Sequence, residues 1–262
     1  MAESKNHFTD GDAYERMMGV WSRLIGNEFL DWLALPHGLR CIDVGCGNGA
    51  FTELLVDRCK PSEVQGIDPS PEQIAFARQR HTAKLAKFRV GDAMALPFPD
   101  DRFDAAIMAL VIFFVPDPAR GVAEMARVVR PGGTVAAYAW DMPGGGLPME
   151  PILAEVRAIG RTALGPPVPE ISRIDALHAA WAQAGLGSIE TRKITVQRTF
   201  ADIDDFWAMS TQAGTIRTTV AALTAKEIAA VKERLRATLP ADASGRITRT
   251  SFANAVKGRV PA

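Results

Sequence analysis

The sequence predicts an α/β protein whose parallel sheet is covered by helices on both faces. Between residues 39 and 140, short runs of apolar and β-branched residues alternate with segments of helical periodicity. The run at 103–111 is almost wholly apolar, which is typical of a central parallel strand. Strands that alternate with helices need crossover connections, and such connections join parallel strands.

The predicted elements begin with a helical, partly aromatic lead-in over residues 1–35, which ends at a Pro-Gly turn at 36–38. Pro71 follows Ser70, an order that favours a helix with Ser70 as its N-cap. Arg-Pro-Gly-Gly at 130–133 is expected to be a turn. Strands are expected at 39–44, 64–68, 88–92, 103–111 and 134–140, and helices at 49–59, 71–79 and 118–129.

The pattern changes after residue 141, where loops rich in proline and glycine interrupt it. Thr224 and Glu227 stand three residues apart before a helical segment, which is the signature of a capping box. Ser172 or Asp175 is expected near the start of another helix. Helices are expected at 149–161, 172–184, 202–210 and 224–239, and strands at 188–200 and 246–259.

Composition and charge argue against several classes of protein. Lys and Arg number 30, as do Asp and Glu, so the formal net charge of zero disfavours nucleic acid as the main partner. No apolar run is long enough to span a bilayer, and residues 1–7 lack the apolar core of a secretion signal. The cysteines, Cys41, Cys46 and Cys59, are odd in number and lack zinc-ligand spacing. We therefore expect a cytoplasmic protein without a membrane span or disulfides.

A glycine-rich loop joins the first strand to the next helix. Gly45, Gly47 and Gly49 allow the backbone to turn sharply and to approach a ligand closely. Free N–H groups at the helix N-terminus favour an anionic group, either the pyrophosphate of a dinucleotide or the carboxylate of S-adenosylmethionine. Because Gly45, Gly47 and Ala50 also satisfy the dinucleotide fingerprint, the loop alone leaves both cofactors open.

Three further features bear on the choice between the two cofactors: Asp68, Asp92 and the turn at 130–133. Asp68 ends the second strand, where a carboxylate would accept hydrogen bonds from ribose hydroxyls in either case. Asp92 ends the third strand, where a carboxylate can recognise an adenine amino group. A nicotinamide-dependent oxidoreductase would leave Asp92 and the turn at 130–133 unexplained.

Five motifs in order resemble the class I S-adenosylmethionine-dependent methyltransferases, and most closely the branch with the ubiquinone and menaquinone C-methyltransferases. Residues 14–23, 138–141 and 200–206 are similar to a bacterial subgroup of such proteins. The resemblance implies a Rossmann-like seven-stranded sheet whose last strand is antiparallel, with 188–200 and 246–259 as its terminal strands. The five motifs are Ile-Asp-Val-Gly-Cys-Gly-Asn-Gly at 42–49, Gly-Ile-Asp-Pro-Ser at 66–70, Gly-Asp-Ala-Met-Ala-Leu-Pro-Phe at 91–98, Phe-Asp at 103–104 and Arg-Pro-Gly-Gly at 130–133.

The resemblance also implies how the chain is organised. Residues 1–35 would close over the cofactor, and residues 36–262 would form the methyltransferase domain. Insertions at about 142–171 and 201–245 would form a helical cap over the carboxyl ends of the strands, where ligands bind in open α/β sheets.

Roles for individual residues follow from the same resemblance. Asp43, Gly45 and Gly47 would contact the methionine part of S-adenosylmethionine, and Asp68 would hold its ribose. The other implied contacts are Pro69 beside the adenine, Asp92 and Ala93 at the adenine edge, Ala109 and Leu110 near the sulfonium, and Tyr14, Trp21 and Arg23 closing over the cofactor, with Arg23 facing its carboxylate.

The expected acceptor is a small hydrophobic or aromatic molecule. The apolar segment 108–111 lacks the Asn/Asp-Pro-Pro-aromatic element of amide and amino-nitrogen methyltransferases, and it lacks an acidic magnesium ligand, so we expect no metal. Displacement at a sulfonium needs a base only if the acceptor must lose a proton, so no catalytic residue is assigned. The apolar residues expected to line the acceptor site are Phe113, Phe114, Trp140, Met142, Met149, Phe206, Trp207 and Met209.

Two alternatives stay open at the level of sequence. The first is an NAD(P)-dependent oxidoreductase, which shares the glycine loop and Asp68. The second is a non-catalytic S-adenosylmethionine-binding protein, because a fold does not by itself determine a function.

Overall fold

The computed structural model describes residues 15–262, apart from the side chains of residues 15, 16, 82 and 83, and contains one seven-stranded sheet. The strands of the predicted α/β pattern are all present, with boundaries shifted by a few residues. They are β1 (Arg40–Val44), β2 (Glu63–Asp68), β3 (Ala86–Val90), β4 (Phe103–Ala109), β5 (Val129–Trp140), β6 (Gly187–Phe200) and β7 (Ile247–Arg259).

The strand order across the sheet is β3–β2–β1–β4–β5–β7–β6. The first five strands pair in parallel, whereas β7 pairs antiparallel with both β5 and β6. The prediction of a seven-stranded sheet with an antiparallel last strand is therefore confirmed. Because β7 lies between β5 and β6, the strand order differs from the dinucleotide-binding order 3-2-1-4-5-6.

Helices cover both faces of the sheet, as predicted. A π-helical turn (Glu15–Gly19) leads into the first α-helix. Ser70 accepts a hydrogen bond from Gln73 N at the start of the third helix, and Thr224 and Glu227 form the predicted capping box. The helices are α1 (Val20–Leu33), α2 (Ala50–Cys59), α3 (Pro71–Ala77), α4 (Pro118–Val128), α5 (Glu150–Ala158), α6 (Ile174–Gln183), α7 (Ile203–Ser210), α8 (Gly214–Ala221) and α9 (Ala225–Thr238).

The two faces of β5 are covered by different helices. The ring of Tyr138 lies 4.5 Å from that of Phe29 in α1 and 5.8 Å from that of Phe51 in α2. On the other face, the buried Trp181 of α6 donates its indole N–H to Val135 O at 2.9 Å. The carboxyl ends of the strands are thus held on a sheet that is packed from both sides.

One helix was not predicted, one predicted turn was wrong, and one pair of alternatives was resolved. Helix α8 was not predicted, because its sequence, Gly-Thr-Ile-Arg-Thr-Thr-Val-Ala, lacks a clear apolar period; Thr219 Oγ1 anchors it by accepting from Leu164 N at 3.2 Å. Residues 130–133 belong to β5, since Gly132 N donates to Val260 O and Val260 N donates to Gly133 O. Asp175 lies in the first turn of α6, as one of the two predicted alternatives, whereas the Ser172 hydroxyl accepts from Met142 N and donates to Pro169 O.

The two predicted insertions pack against each other. Glu155 in α5 pairs with Arg234 in α9, and Arg161 pairs with Glu227 at 2.6 Å. These pairs are largely exposed, so each contributes at most about 1 kcal/mol, and their main effect is to set the register between the two segments. The division into lead-in, domain and cap remains our proposal. None of the helices within residues 15–262 has both the length and the apolar character needed to cross a bilayer.

Candidate active site

The glycine loop is tied to the end of the neighbouring strand β2. Both Gly45 N and Cys46 N donate to Ile67 O, at 2.7 and 2.9 Å. Gly45, Gly47 and Gly49 have φ angles of 76°, 52° and 82°, which lie in the left-handed region. Glycine enters that region without the steric penalty of a Cβ, so the loop conformation depends on these three positions.

Asp43 lies buried beneath this loop. Its Oδ2 accepts a hydrogen bond from Thr52 Oγ1 of α2 at 2.6 Å, whereas its Oδ1 is buried and has no partner within the described chain. Burial raises the pKa of Asp43 to about 7; the Thr52 hydrogen bond opposes the rise, and the charge of Asp68 adds to it. A buried carboxylate oxygen without a donor is suited to a cationic N–H group of a ligand.

Asp68 joins the loop to the start of α3. Its Oδ2 accepts from Gly47 N and its Oδ1 accepts from Ser70 N, both at 2.9 Å. Burial raises the pKa of Asp68, and the hydrogen bonds from Ser70 and Gly47 oppose this rise. Each carboxylate oxygen has a second lone pair, so the side chain can hold the loop and still accept hydroxyl donors.

The ends of β2 and β3 bring four predicted residues to one edge. Gly91 N donates to Asp68 O at 3.1 Å, which places the segment after β3 beside the end of β2. Pro69 and Asp92 are exposed there, and Ala93 is half-buried. The Asp92 carboxylate accepts from Met94 N at 2.8 Å and so shapes its own turn.

The end of β4 lies against the glycine loop. Leu110 has a left-handed φ of 61° and donates its N–H to Tyr138 O at 2.8 Å. A Cβ added at Gly45 would come within 2.4 Å of Val111 Cγ1, whereas one added at Gly47 would meet nothing within 4 Å. The space beside Gly47 is therefore open, and Val111, which sequence reasoning did not assign, closes the space beside Gly45.

A cavity of about 380 Å³ begins at Leu110, beyond the carboxyl ends of β4 and β5. Among the predicted cofactor residues that the structure describes, Leu110 alone lines it. Its walls include five of the eight predicted acceptor residues, namely Phe113, Phe114, Trp140, Met142 and Met149.

The other three predicted acceptor residues, Phe206, Trp207 and Met209, do not line this cavity. Phe206 is fully buried and packs its ring 5.1 Å from that of Phe200. Trp207 is also buried and lies near the Lys232 ammonium. These aromatic residues belong to the protein interior, and composition alone does not distinguish such residues from those that line a ligand site.

The lead-in contributes to the site differently from the prediction. Tyr14 lies outside the described residues. Trp21 is buried against Phe200, with 6.4 Å between ring centroids. Arg23 is exposed and borders a depression of about 80 Å³ beside the first turn of α2. Met17 and Met18, which were not assigned, line the large cavity.

Two further supporting residues were missed. Arg80 donates from Nε to Asn48 O at 2.6 Å and pairs with Glu53 at 2.8 Å, and it thereby holds the glycine loop against α2. Thr52 anchors Asp43. Neither position carries a sequence signal, because both act through contacts between separate elements. Residues 15–262 contain no group of three His, Cys, Asp or Glu side chains arranged to hold a metal ion.

Comparisons with known proteins bear directly on this region. Residues 42–137, which hold the glycine loop, Asp68, Asp92 and the end of β4, match a sequence model described as a methyltransferase domain. The segment 42–137 is therefore similar in sequence to a methyltransferase domain. The predicted resemblance is thereby confirmed for the segment that contains all five motifs, and no comparison supports the dinucleotide interpretation.

Relatives that share part of this segment include quinone methyltransferases. The chain is 44 % identical over 116 residues to a chloroplastic 2-methyl-6-phytyl-1,4-hydroquinone methyltransferase of rice, Oryza sativa. It is 38 % identical over 130 residues to the demethylmenaquinone methyltransferase of Deinococcus radiodurans. The matches cover 44 % and 48 % of this chain but only 33 % and 52 % of the relatives' own lengths.

Solved structures share the fold well beyond that segment. A putative methyltransferase of Bacillus halodurans matches 90 % of this chain and 99 % of its own, with a TM-score of 0.62 and 16 % identity. A phosphoethanolamine N-methyltransferase of Haemonchus contortus, solved with S-adenosyl-L-methionine, matches 95 % of this chain and 56 % of its own, with a TM-score of 0.60 and 17 % identity. At such identities the likeness shows the fold alone.

Proposed function

We propose that the protein transfers a methyl group from S-adenosylmethionine to a small hydrophobic or aromatic acceptor. The observation that carries the proposal is the adjacency of two features at the end of β4. Val111 touches the glycine loop on one side, and Leu110 begins the apolar cavity on the other. A cofactor on the loop and an acceptor in the cavity would meet at these two residues.

The residues around the loop fit S-adenosylmethionine. Asp43 offers a buried oxygen that lacks a donor, and Asp68 has lone pairs left for ribose hydroxyls. The open space beside Gly47 lets a ligand approach the backbone closely. When bound, this cofactor supplies an electrophilic methyl group on a sulfonium. We keep Pro69, Asp92, Ala93, Ala109, Trp21 and Arg23 as proposed further contacts.

The cavity residues would act by positioning the acceptor and excluding water. Aligning two reactants at van der Waals distance contributes several kcal/mol to a displacement reaction, about 7–11 in favourable cases. The methionine and phenylalanine walls suit an apolar body, and the hydroquinone relatives support an aromatic one. Catalysis by orientation needs no assigned base, so we propose none.

We also propose that the protein works in the cytoplasm and does not act on nucleic acid. The three cysteines are buried and unpaired, which is compatible with a reducing compartment. Positive and negative side chains balance in number. Phosphate backbones require a positive surface, so a balanced charge supports a small-molecule acceptor.

Isothermal titration calorimetry with S-adenosylhomocysteine and with NADH tests the cofactor assignment. We expect saturable binding of S-adenosylhomocysteine and no heat from NADH. Binding of NADH alone, or of neither ligand by protein with an intact thermal transition, would contradict the proposal.

A further inference from the structure

Three buried polar atoms lack a hydrogen-bond partner within the described chain and lie on one face of the sheet. They are Trp140 Nε1 on β5, Ser251 Oγ on β7 and Arg198 Nη1 on β6. Trp140 is opposite Ala253 in the ladder, and Ser251 is opposite Val196. Paired residues share a face, and side chains alternate along each strand, so the three side chains project on the same side.

A second arginine joins them on this face. Arg249 is directly opposite Arg198 in the β6–β7 register, so two guanidinium groups leave the sheet side by side. Like charges in such a pair are destabilising unless a counter-ion lies between them. We call Trp140, Arg198, Arg249 and Ser251 the donor cluster.

The two arginines form no ion pair with a carboxylate in the described part of the chain. Burial lowers the pKa of Arg198, with Asp205 opposing the change, and burial lowers the pKa of Arg249, with Glu150 opposing it. Asp205 Oδ2 accepts from Ala201 N, and Glu150 pairs with Arg157. Asp205 and Glu150 therefore act on the two arginines only through their charge, and neither forms an ion pair with them.

Two members link the donor cluster to the large cavity, although Arg198, Arg249 and Ser251 are not part of its wall. Trp140 lines it directly. Arg249 donates to the carbonyls of Gly145, Leu147 and Pro148, and Leu147 is also part of the cavity wall. Beyond the cluster on the same face, Phe200 packs on Trp21 of α1, so the cluster lies between the cavity and the covered end of β6.

We propose that the donor cluster is an anion subsite of the cavity and that the acceptor is an apolar molecule carrying a carboxylate. The proposal rests on the proposed function, because it takes the cavity as the acceptor site. An indole N–H and guanidinium groups can only donate, and a hydroxyl can donate as well, so the complementary ligand group is an acceptor of hydrogen bonds. A carboxylate would also form charge-assisted hydrogen bonds with the guanidinium groups, which a neutral hydroquinone would not.

Octanoate and octanamide test the proposal, because they share an apolar chain and differ in charge. Calorimetric titrations at pH 7.5 would use the full chain, with and without saturating S-adenosylhomocysteine. We expect octanoate to bind at least about 10-fold more tightly than octanamide, as expected for charge-assisted hydrogen bonds. Arg198→Gln should remove this preference, and Ser251→Ala should reduce it.

Arg192→Gln is the matched control. Arg192 is exposed on the same face of β6, six residues or about 20 Å from Arg198, so its loss should leave octanoate binding unchanged. Equal binding of the two probes, no binding of octanoate, or an unchanged octanoate affinity in Arg198→Gln and Ser251→Ala would each overturn the anion subsite. Failure to bind S-adenosylhomocysteine would instead contradict the proposed function. The two failures can be told apart, because octanoate and octanamide are also compared without S-adenosylhomocysteine.

Discussion

Asp43 combines full burial with an oxygen that has no hydrogen-bond donor, so its protonation is coupled to folding. Burial raises its pKa to about 7, above the ordinary value of 3.8. A carboxyl group with a raised pKa in the folded state stabilises the fold at low pH, and this contribution is lost as the pH rises from the ordinary value to the raised one.

Asp43→Asn should therefore gain stability relative to the original protein between pH 5 and pH 7. The amide oxygen can still accept the Thr52 hydrogen bond, but the side chain no longer titrates. Between pH 5 and pH 7, the free energy of unfolding of the variant should rise relative to that of the original protein by an amount of the order of 2 kcal/mol. Urea unfolding of both ligand-free proteins at pH 5, 6 and 7 measures it. A difference that stays constant across this range would contradict the assigned pKa.

Asp68 is expected to contribute to cofactor affinity, because its charged carboxylate would accept hydrogen bonds from the ribose hydroxyls. Asp68→Ala should weaken S-adenosylhomocysteine binding by about 1.5–3 kcal/mol. Because Asp68 also holds Gly47 N and Ser70 N, thermal unfolding of the free variant must be measured alongside. Asp175→Ala on α6 is the control. An unchanged dissociation constant in Asp68→Ala would refute the ribose assignment.

The contact between the glycine loop and the end of β4 is a property of two elements. Alanine at Gly45, where φ is 76°, would place a Cβ 2.4 Å from Val111 Cγ1. Alanine at Gly47 would contact no atom within 4 Å, so its only cost would be the backbone strain of a left-handed φ of 52°. That strain alone is about 1–2 kcal/mol per residue. Gly45→Ala should thus lower the free energy of unfolding by more than Gly47→Ala does.

Adding Val111→Ala to Gly45→Ala separates the clash from the backbone strain. The double variant should recover part of the lost stability, and denaturant unfolding of the four proteins in the cycle measures the coupling. Additive effects of the two substitutions would show that Val111 does not press on Gly45.

Elements with a strong local signal could be predicted from the sequence, and those made by tertiary contacts could not. Ser70 and the Thr224–Glu227 capping box are local motifs and were placed correctly. Helix α8 depends on Thr219 meeting Leu164, which are 55 residues apart, so no window along the chain predicts it. The sites of Arg80 and Val111 beside the glycine loop are of the same kind.

At the scale of the whole molecule, sheet order and cavity position are linked. The parallel strands bring the loop after β1, Asp68 at the end of β2 and Leu110 after β4 to one edge. The antiparallel pair β6–β7 adds the face that holds Arg198 and Arg249. The sequence could not predict which aromatic residues line the cavity. Phe113 and Phe206 are the same residue type in apolar segments and differ only in the residues that pack around them.

A crystal structure with S-adenosylhomocysteine bound tests the central claim most directly. We predict that its amino group lies at Asp43 or the adjacent loop, that Asp68 accepts from its ribose hydroxyls, and that its sulfur faces the cavity beside Leu110. A ligand whose sulfur points away from that cavity, or whose adenosine occupies the cavity itself, would contradict the assignment of cofactor and acceptor sites.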